Sequence, residues 1–329
     1  MSQQRNVLTG GLSLTLRAWP ALLWTYVFNV GLAVLFSWPL HRQLSAITAH
    51  SFAAQRLASG FDLGTLAGVV SKAGEGPGAA TMGSFFSIFL YLVFYFLVVP
   101  GTLFCYQTGA PARLSTLLQT GILYFWRFVR VTLISLAGFV IVLGPLLALR
   151  KVWDAHVDEH IVGRSAMWHE LVALILIGLV AAALRVYFDL VEVYTVQLGQ
   201  LLRPAVSNQA ARPDRRVRRA LKPAWRTFRR NFFRIYCTFI FLALGGLSAV
   251  FVTARMAMHS LAQPRVWPMF LLAQVGLFLM LLTRFWQRGA ETALALDSPI
   301  LAELPVVVVV EEPILGPAPV EPNAIPLEE

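Results

Sequence analysis

Long apolar runs separated by short polar stretches dominate the pattern of this chain. A helix that rises 1.5 Å per residue needs about 20 apolar residues to cross a bilayer core about 30 Å thick. Six stretches approach that length, and none of them contains Asp, Glu, Lys or His. The pattern therefore predicts an all-α polytopic membrane protein with six transmembrane helices. The predicted spans are residues 18–40, 85–106, 131–149, 171–188, 235–254 and 266–283.

An amphipathic stretch precedes the first, third and fifth predicted spans, and the three stretches can be superimposed. Offsets of 106 and 103 residues align the apolar positions of residues 8–23 with those of 114–129 and 217–232. Their spacing of i, i+4, i+8, i+11 and i+15 keeps them on one face of an α-helix. We call these three stretches the elbow helices. The alignment predicts three parallel repeats of an elbow helix plus a transmembrane hairpin, related by an axis along the membrane normal.

The composition excludes a water-soluble domain. Hydrophobic residues make up 57% of the 329 positions and charged residues 13%, whereas soluble domains have about 25% charged residues. The two cysteines, Cys105 and Cys237, both lie in apolar stretches. They therefore suggest neither a disulfide framework nor a cysteine-based metal site.

Basic residues are distributed unevenly among the predicted connections. The N-terminal segment, residues 106–130, residues 185–234 and the chain from 284 onward contain 19 Lys and Arg, and the other three connections contain eight. Because cytoplasmic loops carry the excess of basic residues, both termini are predicted to be cytoplasmic. Residues 291–329 contain eight acidic residues and no Lys or Arg. They are predicted to form a disordered, Pro-rich cytoplasmic tail outside a membrane domain of residues 1–290.

The densest charge lies in residues 212–234, where ten residues are basic and one is acidic. The apolar residues of this segment share one face, as in a helix that lies in the membrane surface. The simplest interpretation is a topology determinant that keeps this loop inside. A sharper one is binding to anionic lipid headgroups or to a membrane-protein partner, and we do not expect nucleic acid as a partner. The binding residues would be Arg215, Arg216, Arg218, Arg219, Lys222, Trp225, Arg226, Arg229 and Arg230.

Uncharged polar residues fall at similar depth in the predicted repeats. The offsets align Asn29 with Ser135 and Ser135 with Thr238, and Gln274 on the last span could join them. Ordinary hydrogen bonding between helices is the simpler interpretation. The alternative is a mid-membrane polar pocket for a small or amphiphilic ligand.

One charged residue falls within the predicted spans, near the end of the fourth. Arg185 is one helical turn from Asp189, and this spacing predicts a structural ion pair at the membrane interface. Because the spans contain no other ionisable side chain of the kind that proton-driven carriers need, we do not expect an ion-coupled transporter.

No motif indicates catalysis, a cofactor or a metal. His156 and His160 are spaced i, i+4, but two ligands do not make a metal site. The sequence contains no phosphate-binding loop followed by Lys-Ser/Thr and no complete zinc-protease motif. We therefore expect a protein that is not an enzyme and needs no cofactor.

Three features of the sequence resemble those of other membrane proteins. They are the elbow-plus-span pattern over residues 1–290, AHSFAAQRLASGFD after the first span, and RVYFDLVEV followed by VRRALKPAWRTFRRNFFRIY. In these features the chain resembles a loosely defined group of uncharacterised bacterial six-helix integral membrane proteins. The resemblance implies this fold and a location in the bacterial inner membrane, and it implies no reaction.

Two functional hypotheses follow from these features. The first is a non-catalytic scaffold or accessory protein whose basic interfacial helix engages anionic lipid or a membrane partner. The alternative is a small permease or amphiphile-handling transporter that uses the mid-membrane polar pocket.

Overall fold

The computed structural model describes residues 6–49, 79–160, 164–200, 217–260 and 266–300. Within these ranges the chain forms α-helices and no strand, which confirms the all-α prediction. We number the helices in chain order. They are α1 (Val7–Arg17), α2 (Trp19–Ala49), α3 (Ala79–Thr108), α4 (Leu114–His160), α5 (Arg164–Gln200), α6 (Arg218–Arg230), α7 (Phe232–Ser260) and α8 (Val266–Asp297).

Six of these helices, α2, α3, α4, α5, α7 and α8, are long and apolar enough to cross a membrane. The prediction of six spans is therefore confirmed. Large apolar side chains point outward along them, with Leu136, Val140 and Leu247 60%, 63% and 66% exposed. Such a surface suits lipid, because an exposed apolar area of this size is rare on soluble monomers. The chain is thus a multi-pass membrane protein.

The spanning helices are longer than the apolar stretches that predict them. Helix α4 has 47 residues, or about 70 Å at 1.5 Å per residue, which is more than twice the thickness of a bilayer core. Helix α8 continues to Asp297, and Ile300 after it is 7% exposed. The predicted domain boundary after residue 290 is therefore too early, since residues 291–297 belong to the last helix. Residues 301–329 of the predicted tail lie outside the described residues.

The three predicted elbow helices differ in how they join the spans. The first is the separate helix α1, which ends at Arg17, and the third is α6, followed by a break at Asn231. The second is continuous with its span in α4. Pro20 follows the first break, and Asn231 donates from its side chain to the carbonyl of Thr227 at 3.3 Å. Residues 118–132 contain neither Pro nor Asn, so nothing there interrupts the helix.

Each elbow helix packs against the second helix of a hairpin. Helix α1 lies on α8, the first part of α4 on α3, and α6 on α5. The three positions aligned by the offsets of 106 and 103, Gly11, Leu117 and Ala220, are all buried. Helices α3, α5 and α8 also contact one another. This packing agrees with the predicted three-repeat arrangement, which itself stays a prediction.

Small residues allow the elbow helices to approach closely. A methyl group at Gly11 would lie 2.5 Å from the backbone nitrogen of Ala290. One at Gly121 would meet the carbonyl oxygen of Leu97. Some large apolar residues of the elbows face outward, such as Leu16 and Trp225, which are 59% and 54% exposed, whereas Phe128 and Phe228 are buried. All three elbows and the 109–113 connection lie at one end of the bundle, which we call the basic side.

Candidate functional site

Three charged residues share one face of α5 near the basic side. Arg185, Asp189 and Glu192 are spaced i, i+4 and i+7, and Asp189 and Glu192 are only 3% and 7% exposed. Arg185 Nη2 lies 3.0 Å from Asp189 Oδ1, and Arg185 Nε donates to Asp189 Oδ2 at 3.1 Å. The structure thus contains an ion pair at the two residues where the sequence predicts one. Its carboxylate is buried whereas the side chain of Arg185 is 45% exposed, so the pair lies at the edge of the helix bundle.

Helix α8 places a second polar group against this pair. Gln287 Nε2 donates to Asp189 Oδ2 at 3.0 Å and to Glu291 Oε1 at 2.9 Å. Glu291 is 1% exposed, and its Oε2 has no hydrogen-bond partner among the described residues. Two buried carboxylates therefore depend on one side-chain amide, and this amide connects α5 to α8.

Tyr95 connects α3 to the same residues. Its hydroxyl donates to Glu192 Oε1 at 2.9 Å, and the guanidinium carbon of Arg288 lies 5.2 Å from the centre of its ring. That distance is within the range of a cation–π interaction. The polar network thus holds together the three helices that contact one another at the centre of the bundle. We call this network the charged cluster; it consists of Tyr95, Arg185, Asp189, Glu192, Gln287, Arg288 and Glu291.

A cavity of about 760 Å³ lies beside the charged cluster, between the six spanning helices. Its wall is largely apolar and includes Val98, Phe239, Leu242 and Met280. The lining residues of α7 run from Phe239 to Val250, which corresponds to about 16 Å along the helix at 1.5 Å per residue. The cavity is therefore elongated, and one end of it is charged while the rest is oily.

Arginines provide most of the charge at the polar end of the cavity. Arg185, Arg284 and Arg288 line it together with Asp189 and Glu192. Arg185 is paired with Asp189. Among the described residues, no carboxylate lies within ion-pair distance of Arg284 or Arg288. Two guanidinium groups one helical turn apart on α8 thus line the cavity outside ion-pair distance of the described carboxylates, and Glu192 and Asp189 interact with Arg288 from farther away.

The residues of the predicted mid-membrane pocket have different environments. Asn29 donates to the carbonyl of Thr25 at 2.7 Å, and Thr238 donates to the carbonyl of Arg234 at 2.8 Å, each within its own helix. Gln274 accepts a hydrogen bond from the hydroxyl of Tyr26 at 3.0 Å. Of the four, only Ser135 lines the cavity. The cavity therefore obtains most of its polar character from residues outside this predicted set.

The predicted lipid-binding segment is described from Val217 onward, so that Arg215 and Arg216 lie outside the described residues. Helix α6 buries Ala220, Ala224 and Phe228 against the bundle. Its opposite face is exposed and carries all the basic residues of the helix. These exposed residues are Arg218, Arg219, Lys222, Trp225, Arg226, Arg229 and Arg230.

The sequence interpretation missed most of the charged cluster. Its fourth and sixth spans end at residues 188 and 283, so Glu192, Gln287, Arg288 and Glu291 appeared to lie outside the spans. A signal was nevertheless present. Arg185, Asp189 and Glu192 share their i, i+4, i+7 spacing with Arg284, Arg288 and Glu291 at an offset of 99 residues, and this spacing places charges on one helix face.

The described residues include no group of three His, Cys, Asp or Glu that could hold a metal ion. The side chains of His156 and His160 are not among those described. Comparison of the chain with protein-family models, curated proteins and solved structures finds no match. The resemblance to bacterial six-helix proteins therefore stays a prediction. The fold and the cavity define the class, a six-span helical membrane protein with a charged cavity between its spans.

Proposed function

We propose that this protein is a non-catalytic membrane protein that binds a small amphiphile in the cavity between its spans. The observation that carries the proposal is the cavity's division into an apolar wall and a charged end. An amphiphile also has an apolar part and a charged part, so its hydrocarbon chain would lie along the apolar wall and its headgroup at the charged end. The volume of about 760 Å³ is within the range of about 300–1,000 Å³ that is common for small-molecule pockets.

The arginines of α8 favour an anionic head. Guanidinium groups bind carboxylate and phosphate through paired hydrogen bonds, and such charge-assisted bonds are stronger than neutral ones. Arg284 and Arg288 line the cavity with no carboxylate of the described residues in ion-pair distance. Glu192, whose two oxygens lie 2.9 and 3.2 Å from the hydroxyl of Tyr95, is already engaged. The ligand class that we propose is therefore a single-chain carboxylate or phosphate amphiphile.

A fluorescent fatty acid tests this proposal. The full-length protein in phosphatidylcholine nanodiscs would be titrated with 11-(dansylamino)undecanoic acid, and nanodiscs without protein would supply the background. The R284Q/R288Q variant should bind the probe at least about tenfold more weakly, because one charge-assisted hydrogen bond contributes about 1.5–3 kcal/mol. The matched control is R218Q/R230Q on the exposed face of α6. Equal affinity of wild type and R284Q/R288Q would contradict the proposal.

A second variant tests the apolar wall. Val250 lines the cavity far from the arginines along α7. Val250→Phe should weaken the binding of a long-chain probe and leave the binding of a shorter-chain probe unchanged, because the added ring takes volume from the apolar end of the cavity only. Weaker binding of both probes would show that the variant acts through the fold and not through the cavity.

A second candidate function rests on the exposed face of α6. Arg218, Lys222, Arg229 and Arg230 are exposed there, and basic residues near an anionic leaflet contribute about 1 kcal/mol each to attraction. We propose that this face lies against anionic headgroups, in the manner of a scaffold or accessory protein.

The accompanying location is the bacterial inner membrane with both termini in the cytoplasm. A reporter fused after Ile300 that is active only outside the cytoplasm would overturn this orientation.

A further inference from the structure

We infer that the acidic segment 301–329 docks on the exposed basic face of α6, and that it competes there with anionic lipid headgroups. This inference is independent of the cavity. It follows from the place at which the described chain ends and from the charges on the two sides of that place.

The end of the described chain is held next to α6. The hydroxyl of Tyr194 donates to the carbonyl oxygen of Ser298 at 2.9 Å, and it lies 2.7 Å from Oγ1 of Thr227 on α6. Tyr194 is fully buried, and Ile300 is 7% exposed. One tyrosine on α5 therefore contacts both α6 and the residues that lead into segment 301–329.

The two partners have opposite charges. Segment 301–329 contains six acidic residues and no Lys or Arg, whereas Arg218–Arg230 contains six basic residues and no acid. Glu303 is three residues beyond Ile300, and an extended chain covers about 10 Å in that distance. Thr227, next to the fixed end, is within one turn of Arg230 on the same helix. The first acidic residue can thus reach the basic face without a long loop.

The tether makes this contact effective. A segment tethered beside its target by a short linker has an effective concentration in the millimolar range, so even a weak electrostatic contact is occupied. A lipid headgroup must use the same basic side chains. The segment therefore reduces the lipid affinity of α6 until anionic lipid is dense enough to displace it.

Zero-length crosslinking tests the contact in the full-length protein. A water-soluble carbodiimide joins a carboxylate to a lysine amine without a spacer, and the chain has three lysines, Lys72, Lys151 and Lys222. Lys222 is the one on α6, whereas Lys151 lies near the other end of α4. In phosphatidylcholine nanodiscs that hold one chain each, peptide mapping should find Lys222 joined to a Glu of segment 301–329. Lys151 should not form this link.

Charge variants supply the controls. R229E/R230E should reduce the Lys222 crosslink at least about fivefold, which corresponds to about 1 kcal/mol, and adding E311R/E312R in the same chain should restore it. Arg113→Glu changes an exposed basic residue on the same side of the bundle and should have no effect. Phosphatidylglycerol in the nanodisc should lower the yield, and an unchanged yield would overturn the competition.

Two results would overturn the docking itself. One is an undiminished crosslink in R229E/R230E. The other is a missing crosslink under conditions in which the carbodiimide couples added acetate to Lys222, because that side chain is then shown to be reactive.

Discussion

The charged cluster and the basic face of α6 are both rich in arginine, yet they differ in almost every physical respect. In the cluster, Arg185 is paired with a carboxylate that is 3% exposed, and Arg288 lies over a tyrosine ring. On α6 the basic residues are exposed, and the helix has no acidic residue. Charge inside the bundle is costly to desolvate, and a carboxylate or an aromatic ring nearby offsets part of that cost. Charge at the surface stays hydrated and is accessible to an external partner.

The largest expected effect is the loss of the buried carboxylate at Asp189. Asp189→Ala should lower the free energy of unfolding by about 3 kcal/mol, because Arg185 and the amide of Gln287 lose a shared acceptor. We expect the low end of the range for buried pairs, since the side chain of Arg185 is 45% exposed. Denaturant unfolding in detergent measures this change. Arg230→Gln on α6 is the surface control and should change stability by less than about 0.5 kcal/mol.

The double variant R185Q/D189N sharpens this test. It removes both charges, so its stability should lie above that of Asp189→Ala. A double variant that is less stable than Asp189→Ala would show that packing, and not unpaired charge, causes the loss.

A smaller effect is expected at Tyr95. Tyr95→Phe removes the one hydroxyl that donates to the 7% exposed Glu192, and a buried acceptor left unpaired costs about 1–3 kcal/mol. Tyr236→Phe is a matched control, because its hydroxyl donates to the carbonyl of Leu179 at an exposed site. We expect the smaller loss in Tyr236→Phe, because hydrogen bonds within membranes average about 0.6 kcal/mol. Equal losses of stability in the two variants would show that a hydroxyl in the charged cluster contributes no more than one at an exposed site.

The smallest change in stability is expected for substitutions on α6. These substitutions should change the binding of anionic lipid instead. R229Q/R230Q should unfold like wild type but bind phosphatidylglycerol nanodiscs more weakly, by about fivefold for each arginine. The loss should shrink as salt rises, because the Debye length falls from about 10 Å at 0.1 M to about 3 Å at 1 M. Flotation or surface plasmon resonance measures the binding. Salt-independent binding would show that α6 interacts through its apolar residues alone.

Hydrophobic patterning predicted the six spans because each span must offer lipid an unbroken apolar surface, as residues 131–149 do. It did not predict where the helices end, because α8 continues through polar residues that pack on protein, such as Glu291 and Thr292. Helix α4 continues past its apolar stretch through the i, i+4 ion pair of Arg150 and Asp154. The exposed face of α6 is visible in the sequence as a run of arginines. The pairing of Tyr95 with Glu192, or of Gln287 with Asp189, depends on three helices that meet only in the folded chain, and local spacing does not contain that information.

The unbroken α4 has a mechanical consequence. Helices α1 and α6 are separated from their spans by breaks at Ala18 and Asn231. Each can therefore change its angle without moving the transmembrane helix that follows it. Helix α4 has no such joint between its elbow part and its span, and its proline, Pro145, lies well inside the span. A tilt of the elbow part at Gly121 therefore has to move the span that follows it, at least as far as Pro145. The second elbow is thus the one of the three whose orientation in the membrane surface is tied directly to the orientation of its span.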